Sequence, residues 1–552
     1  MFRFQTLWNG FVHSHRPLSP IASFVIGAGV LLVSGAIAER SIPAEDVQLQ
    51  VGVVQRFGST PRDTLTLQAR SGDQLTVRLA VGGQPKAITS TRAKIDVVME
   101  PLPQPRVEER VVLGSFRSFE TAEEQANRWR SQGIPVEVAQ PKRWQVWAKR
   151  DTYNSPVVRR LLLQTIQAKG IQTAHIDTQV VTQQPRASIV INGYRYTRDA
   201  IDVTAGQGVI QVNAGSSEST QRLYAGSLRI QPNTYGTYTL INQVPLETYL
   251  RGVVPHEIGT WAPQTVLEVQ AILARTYALR NLRRFAIDGY QLCADTQCQV
   301  YNGLTGAAAS TDRAIAATRG QVLTYQNELI DAVYSSANGG VTARFTDVWQ
   351  GAERPYLLTR VDSVYNIWDL SQQSLTNEQN FRRFMGQKRG FNEEKDDMFR
   401  WREVVSLATL NQELRQYLST QKHPLSNFKT IQRMEVTERS PAGRVQKMKV
   451  TTDRGEVILE KDNILSVFDA PSSTLFYLEP VMEAPRSLSG YAFVGGGFGH
   501  GVGLSQTGTY HLGELGWSST RILEFYYPGT QLQPFNGSIT LWREPQASQA
   551  GT

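Results

Sequence analysis

VPLETYLRGVVPHEIGTWAPQTVLEVQAILARTYALRN, Val244 to Asn281, decides the reading of this chain, because it sets one carboxylate, Glu257, just ahead of a helix with almost no polar face. Pro255 and Gly259 bracket Glu257 and predict a turn. Thr260 supplies a cap and Pro263 a first helical position, so the helix is predicted from Pro263 toward Arg284. Val266, Leu267, Val269, Ala271, Ile272, Leu273, Ala274, Tyr277, Ala278 and Leu279 then face every direction, which predicts packing on most sides. Polar residues inside such a helix need partners. Glu268 and Arg275 lie two turns apart on one face; either they pair, or Arg275 reaches the site and orients Glu257 or binds an anionic group of a substrate. Val253, Val254, Ile258 and Trp261 surround Glu257 in sequence, and apolar neighbours raise a carboxyl pKa toward the range an acid catalyst needs.

Further motifs extend the pattern. LETYLRGVVPHEI (Leu246 to Ile258) and AILARTYAL (Ala271 to Leu279) are followed by CADTQCQVYNG (Cys293 to Gly303), YSSANGGVT (Tyr334 to Thr342), AGRVQKMKV (Ala442 to Val450) and GGGFGHGVGLSQTGTYHLGELGWSSTRILEFYYPGTQL (Gly495 to Leu532). Together, and in this order, they resemble the SpoIID/LytB domain family over about Ala187 to Leu532. The fold implied is α+β and multidomain, with a β-rich catalytic domain built around the buried helix that carries ARTYAL. The resemblance implies Glu257 as the catalytic group. It implies a substrate cleft lined by Arg275, Tyr301, Ser335, Ser336, Asn338, His500, Ser505 and Gln506. Around His500, Gly495, Gly496, Gly497, Gly499, Gly501 and Gly503 remove side chains from almost every second position, which lets a ligand or another chain segment approach the backbone closely. For His500 alone, a plain structural role stands beside contact with substrate or with Glu257. Glu247 and Arg251 are spaced for an i,i+4 ion pair on the surface of the LETYLRG helix.

With 552 residues the chain is long enough for several domains. A polar, basic start (Met1 to Pro20) precedes the uncharged run Ile21 to Ala38, which ends in Ala36-Ile37-Ala38. This is the pattern of an export signal, with an uncleaved membrane anchor as the alternative, and it predicts a periplasmic or cell-envelope location. The two cysteines, Cys293 and Cys298, are close enough to bridge a small loop in an oxidising compartment. Some SpoIID-like domains bind zinc near this point through two cysteines and neighbouring histidines. Here no histidine lies between Arg284 and Gly303, and ligands would have to come from His500 or His511, so zinc is disfavoured and no cofactor is expected.

Residues 45–100 alternate apolar and polar and predict short strands. Pro101 to Pro105 reads as a linker. Residues 108–178 read as two strand-helix-strand halves led by Gly114-Ser115-Phe116, which resembles a SPOR domain, a module that binds glycan strands lacking peptides; a generic α/β spacer is the alternative. Phe116, Trp144 and Trp147 are then candidates for sugar stacking, with core packing as their competing role. The SpoIID-like domain follows at 187–535 with a polar, helical insertion at about 370–423, and 536–552 reads as a flexible tail.

A single carboxylate limits the chemistry. Hydrolytic glycosidases generally need two. A lytic transglycosylase needs one, because the C6 hydroxyl of the sugar replaces water. The resemblance therefore implies a peptidoglycan lytic transglycosylase acting on peptide-stripped glycan between N-acetylmuramic acid and N-acetylglucosamine and leaving 1,6-anhydro ends. The alternative from the same family is a non-enzymatic enhancer of an N-acetylmuramoyl-L-alanine amidase. Glycan strands, and an amidase or membrane-anchored wall complex, are the partners these readings imply. Nucleic acid is not: the glycine block lacks the lysine and helix start of a phosphate loop.

Overall fold

Strand alternation points Leu49 and Val51 of Gln48–Phe57 (β1) inward, as it does Leu65 and Leu67 of Leu65–Ala69 (β2) and Leu75 and Val77 of Leu75–Val81 (β3), and all six are buried. In the computed structural model, residues 47–543 are described apart from 61, 82–83, 172, 215–220 and 485–486. The expected signal or anchor at 1–38 and the end of the expected tail lie outside the described residues. Among the described residues, no helix is long and apolar enough to cross a membrane.

The architecture is α+β, β-rich and multidomain. One sheet runs in the order Leu292–Cys293, β1, Tyr238–Pro245, Ser227–Pro232, Ile201–Ala205, β3 and Gln84–Ser90 (β4). A second begins Gln221–Ala225, Val209–Ala214, β2 and then Arg92–Phe116 (β5). Ile95, Ile189, Ile210, Leu228 and Leu240 from these strands share one apolar core with Leu49 and Leu67. The strands of 45–100 therefore complete sheets whose other members come from beyond residue 187; they are not a separate domain, because half of each buried face is supplied by the later chain.

What separates them in sequence is an inserted βαββαβ body. β5 is followed by Phe119–Ser131 (α1), Val136–Ala139 (β6), Trp144–Ala148 (β7), Pro156–Ala168 (α2) and His175–Ile191 (β8). Its sheet order is β8-β5-β7-β6, the ferredoxin-like arrangement. The expected linker at Pro101 to Pro105 is instead part of β5. That strand pairs with β8 on both sides of a register slip between Pro101↔Gln183 and Arg106↔Val181, and the prolines, which cannot donate to a ladder, are accommodated at this irregularity. Trp144 and Trp147 are fully buried. Trp144 packs on Phe119 and Phe285, and Trp147 on Tyr235, so both are core residues rather than open sugar platforms, while Phe116 is half-buried.

The helix Leu246–Glu257 (α3) and the helix Gln264–Arg280 (α4) cover the β core. Fourteen residues of α4 are buried, which its sequence requires. Val266, Leu267, Ala271, Ala274 and Ala278 face the β body, and Val269, Ile272, Leu273 and Tyr277 face a second core made with Phe345, Phe381, Phe384, Val502, Leu504, Ile522 and Tyr527. The polar stretch 370–423 is more than a helical insertion. Between the helices Glu378–Gly386 and Leu407–Thr420 it contributes the strand Trp401–Ser406, which pairs with Ser487–Gly495. Phe381, Phe384, Phe391, Phe399, Leu410 and Leu414 anchor the stretch in two cores.

Candidate active site around Glu257

Glu257 ends α3, and Pro255 lies within that helix rather than in a turn before the next. A proline two residues before the end removes one N–H of the last turn and leaves the helix free to stop. Ile258 N–H still donates to Val254 O at 3.1 Å, and Gly259, at φ +79°, turns the chain in the left-handed conformation that glycine alone adopts cheaply. The following helix begins at Gln264 with Pro263 as its cap residue, and Thr260 makes no capping bond to it.

The carboxylate of Glu257 is held from three sides. Val300 N–H, from the Cys293–Cys298 loop, donates to Oε1 at 2.6 Å, and the side chains of Gln506 and Tyr334 also donate to it. Gln506 Nε2 donates further to the backbone O of Glu257 at 2.8 Å. Tyr334 accepts from Gln299 Nε2 at 3.0 Å, and Gln299 in turn accepts from Tyr249. Burial nevertheless dominates: it pushes the Glu257 carboxyl up from 4.5 to about 7, and the three hydrogen bonds only partly oppose it. Placement at a helix C-terminus acts in the same sense as burial. No cation is among the groups that shift it. The residue as a whole is only partly buried, so the raised acid lies near the surface.

Two backbone segments frame it. Tyr334–Ser335 pairs in parallel with Leu504–Ser505, and the glycine block threads past this ladder. A Cβ on Gly501 would lie 1.9 Å from Arg444 Nη2, and one on Gly503 would lie 2.2 Å from Val333 O. What the glycines admit is thus largely the protein's own chain. Ser505 caps the helix Gln506–Glu514, and its hydroxyl also donates to Glu393, a fully buried carboxylate that accepts from Asn338 N–H and from Gly340 N–H at 2.7 Å. Burial raises Glu393, and it raises Asp362 further because Asp362 also faces the Glu393 charge. Asp362 is held by Asn392 at 2.7 Å and by the Tyr526 hydroxyl.

Of the residues expected in the cleft, Gln506 touches Glu257. Ser336 is half-exposed on the framing segment. Ser335, Asn338 and Ser505 are buried in the clamp behind it: the Ser335 hydroxyl donates to Asn338 Oδ1 at 2.9 Å and accepts from Gly501 N–H at 3.1 Å. His500 is half-buried, and its Nδ1 accepts from Val502 N–H, which leaves the proton on Nε2 toward the Tyr334 carbonyl. Burial and the charge of Arg444 keep it neutral, its pKa lowered to about 3, and its ring lies against Trp349.

Other expectations are corrected. Arg275 pairs with neither Glu268 nor Glu257. It is completely buried and makes a bidentate bond to Glu247 at 2.7 and 2.8 Å, with Gln321 O as a third acceptor, because the inward face of α4 meets α3 one turn from its start. Glu247 being so engaged, Arg251 pairs with Asp312, at 2.9 Å. Tyr301 is a core residue whose hydroxyl donates to Asn242 at 2.7 Å, and so lines no cleft. Trp261 does not desolvate Glu257, since it is 96% exposed. Cys293 and Cys298 form a disulfide and so present no thiolate pair to a metal; among the described residues no three His, Cys, Asp or Glu side chains gather as a metal site. Sequence reasoning missed Tyr334, Gln299, Glu393 and Asp362. The first two lay inside quoted motifs, but the two acids carried no local signal.

Two apolar cores thus meet on the buried helix α4, and the raised acid ends the helix before it. Residues 234–325 match the family model described as Stage II sporulation protein, and residues 343–503 match one described as a domain of unknown function. The chain is 27% identical over 380 residues to the amidase enhancer of Bacillus subtilis, covering 59% of this chain and only 50% of that protein. It is 26% identical over 330 residues to stage II sporulation protein D of the same organism, covering 56% of this chain and 81% of that protein. An uncharacterised protein of Brachyspira hyodysenteriae is 27% identical over 323 residues, at 57% and 73% coverage. Over these residues the chain is similar to the SpoIID/LytB family.

Proposed function

We propose that this protein is an exported peptidoglycan lytic transglycosylase that cleaves peptide-stripped glycan, with Glu257 as its acid and base. The observation that carries this reading is the single carboxyl raised to about 7 on a residue that is only partly buried, with hydrogen-bond donors around it and no charged neighbour shifting it. Protonated, it gives its proton to the glycosidic oxygen as the C1–O bond of the muramic acid breaks. As carboxylate, it takes the proton of the C6 hydroxyl while O6 closes on C1. The donors that hold it, Val300 N–H, Gln506 and Tyr334, stabilise the carboxylate at the moment it forms. No water is consumed and no cofactor is used. The carboxylates met next along the hydrogen-bond network, Glu393 and Asp362, are sealed from solvent, which disfavours them as the second group of a hydrolase.

The βαββαβ body supports, by its topology, the SPOR-like reading of a glycan tether. With Trp144 and Trp147 buried, such a tether would use other residues. A second reading is favoured by the name of one relative, an amidase enhancer: a wall-binding activator without chemistry of its own. Mass spectrometry of intact and amidase-stripped strands after incubation with the protein and its Glu257→Gln variant decides between them. Anhydromuramic ends from stripped strands, absent with the variant, are expected. No products from either protein sinks the lyase reading in favour of the enhancer, and reducing ends mean hydrolysis.

A further inference from the structure

We infer that Trp261 is a carbohydrate-stacking platform that holds a pyranose ring of the glycan a few sugar units from Glu257; this rests on the proposed function. Among the described residues it is the one exposed tryptophan: Trp129, Trp144, Trp147 and Trp349 are buried, and Trp368, Trp401, Trp517 and Trp542 are half-buried. At 96% exposure it makes almost no contact with the fold, so packing does not account for it.

The turn that carries it is fixed. Gly259 takes φ +79°, the Tyr510 hydroxyl donates to Ile258 O, the Ser310 hydroxyl donates to Thr260 O at 2.8 Å, and Ala262 on its other side is buried. An indole presented on such a turn loses little backbone freedom when it binds. It follows Glu257 by four positions, so their Cα atoms lie within about 14 Å of each other. The faces of a pyranose present C–H groups of partial positive charge to the negative face of an indole, while sugar hydroxyls stay in water. A polymer of pyranoses running past Glu257 fits both the spacing and the exposure. A protein partner would meet an aromatic whose chain neighbours add no large apolar side chain: Thr260 and Pro263 are half-exposed and Gln264 is exposed.

The test uses the full chain with Glu257→Gln, so that strands bind without being cleaved, and measures affinity for peptide-stripped glycan by calorimetry. Adding Trp261→Ala is expected to weaken binding about tenfold, and Trp261→Phe to keep most of it, with melting temperatures unchanged because the side chain is exposed. Equal affinity with and without the indole overturns the inference, as does failure of the parent to bind glycan. If Trp261→Ala spares glycan binding but abolishes stimulation of an amidase, the residue is a partner anchor and the inference also falls. Absence of anhydro products from the unaltered chain would sink the lyase reading while leaving this binding result intact.

Discussion

Replacing Glu257 with glutamine should make the stability difference between the two proteins depend on pH in a way that needs no enzyme assay. A carboxyl raised from 4.5 to about 7 binds its proton more tightly folded than unfolded, so the folded state is favoured below pH 4.5 and loses that advantage as pH rises through 7. At about 1.4 kcal/mol for each pH unit between the two values, the rise from 4.5 to about 7 would cost the unaltered protein about 3.5 kcal/mol by pH 8.5. Because the residue is only partly buried, about 2 kcal/mol is the working figure. The amide keeps an acceptor for Val300 N–H and never ionises. The variant should therefore melt about 2 °C higher than its parent at pH 8.5, with the gap shrinking toward pH 5. Scanning fluorimetry of both proteins across this range suffices, and Asp362 and Glu393, common to both, cancel. A gap that is constant with pH, or that widens toward pH 5, would refute the claim that burial raises this acid.

Arg275→Met should leave Glu247 half of a broken, buried pair and destabilise the protein by about 3–5 kcal/mol, with Glu247→Leu in the same chain recovering part of it; the pH profile of any activity should not move, since Arg275 touches neither Glu257 nor the cleft. Glu393→Ala should strand the Asn338 and Gly340 N–H groups and the Ser505 hydroxyl, at about 1–3 kcal/mol each, as read by thermal melting. Loosening Ser505 also loosens Gln506 on Glu257, so the pH–rate profile should shift to higher pH, and Glu393→Gln should restore part of both; an unchanged profile would separate this clamp from the site.

The helix α4 was legible because a continuous apolar sequence has one stable environment, and Glu257 because the acid stood alone among apolar neighbours. The short-range strands of 45–100 were legible by alternation, but their partners were not, since pairing across more than a hundred residues leaves no periodic trace. Arg275 was misplaced for a similar reason: its partner Glu247 sits on another helix, while Glu268, two turns back on the same face, suggested a nearer one. Tyr301 and Trp261 exchanged their expected environments because both lie in irregular segments, where burial is decided by what packs from elsewhere. Glu393 lay in a stretch whose polarity suggested only a helical insertion, although its phenylalanines carry it into the core.

The interleaving of β1 with later strands also sets an order of assembly. β1 has as its neighbours only Tyr238–Pro245 and Leu292–Cys293, so as the chain emerges from its N-terminus this strand waits for nearly two hundred residues before any partner exists. The βαββαβ body, whose contacts are nearer in sequence, can close in that interval and bring the ends of β5 and β8 together. Once closed, the inserted module shortens the loop across which the sheets around Glu257 must form.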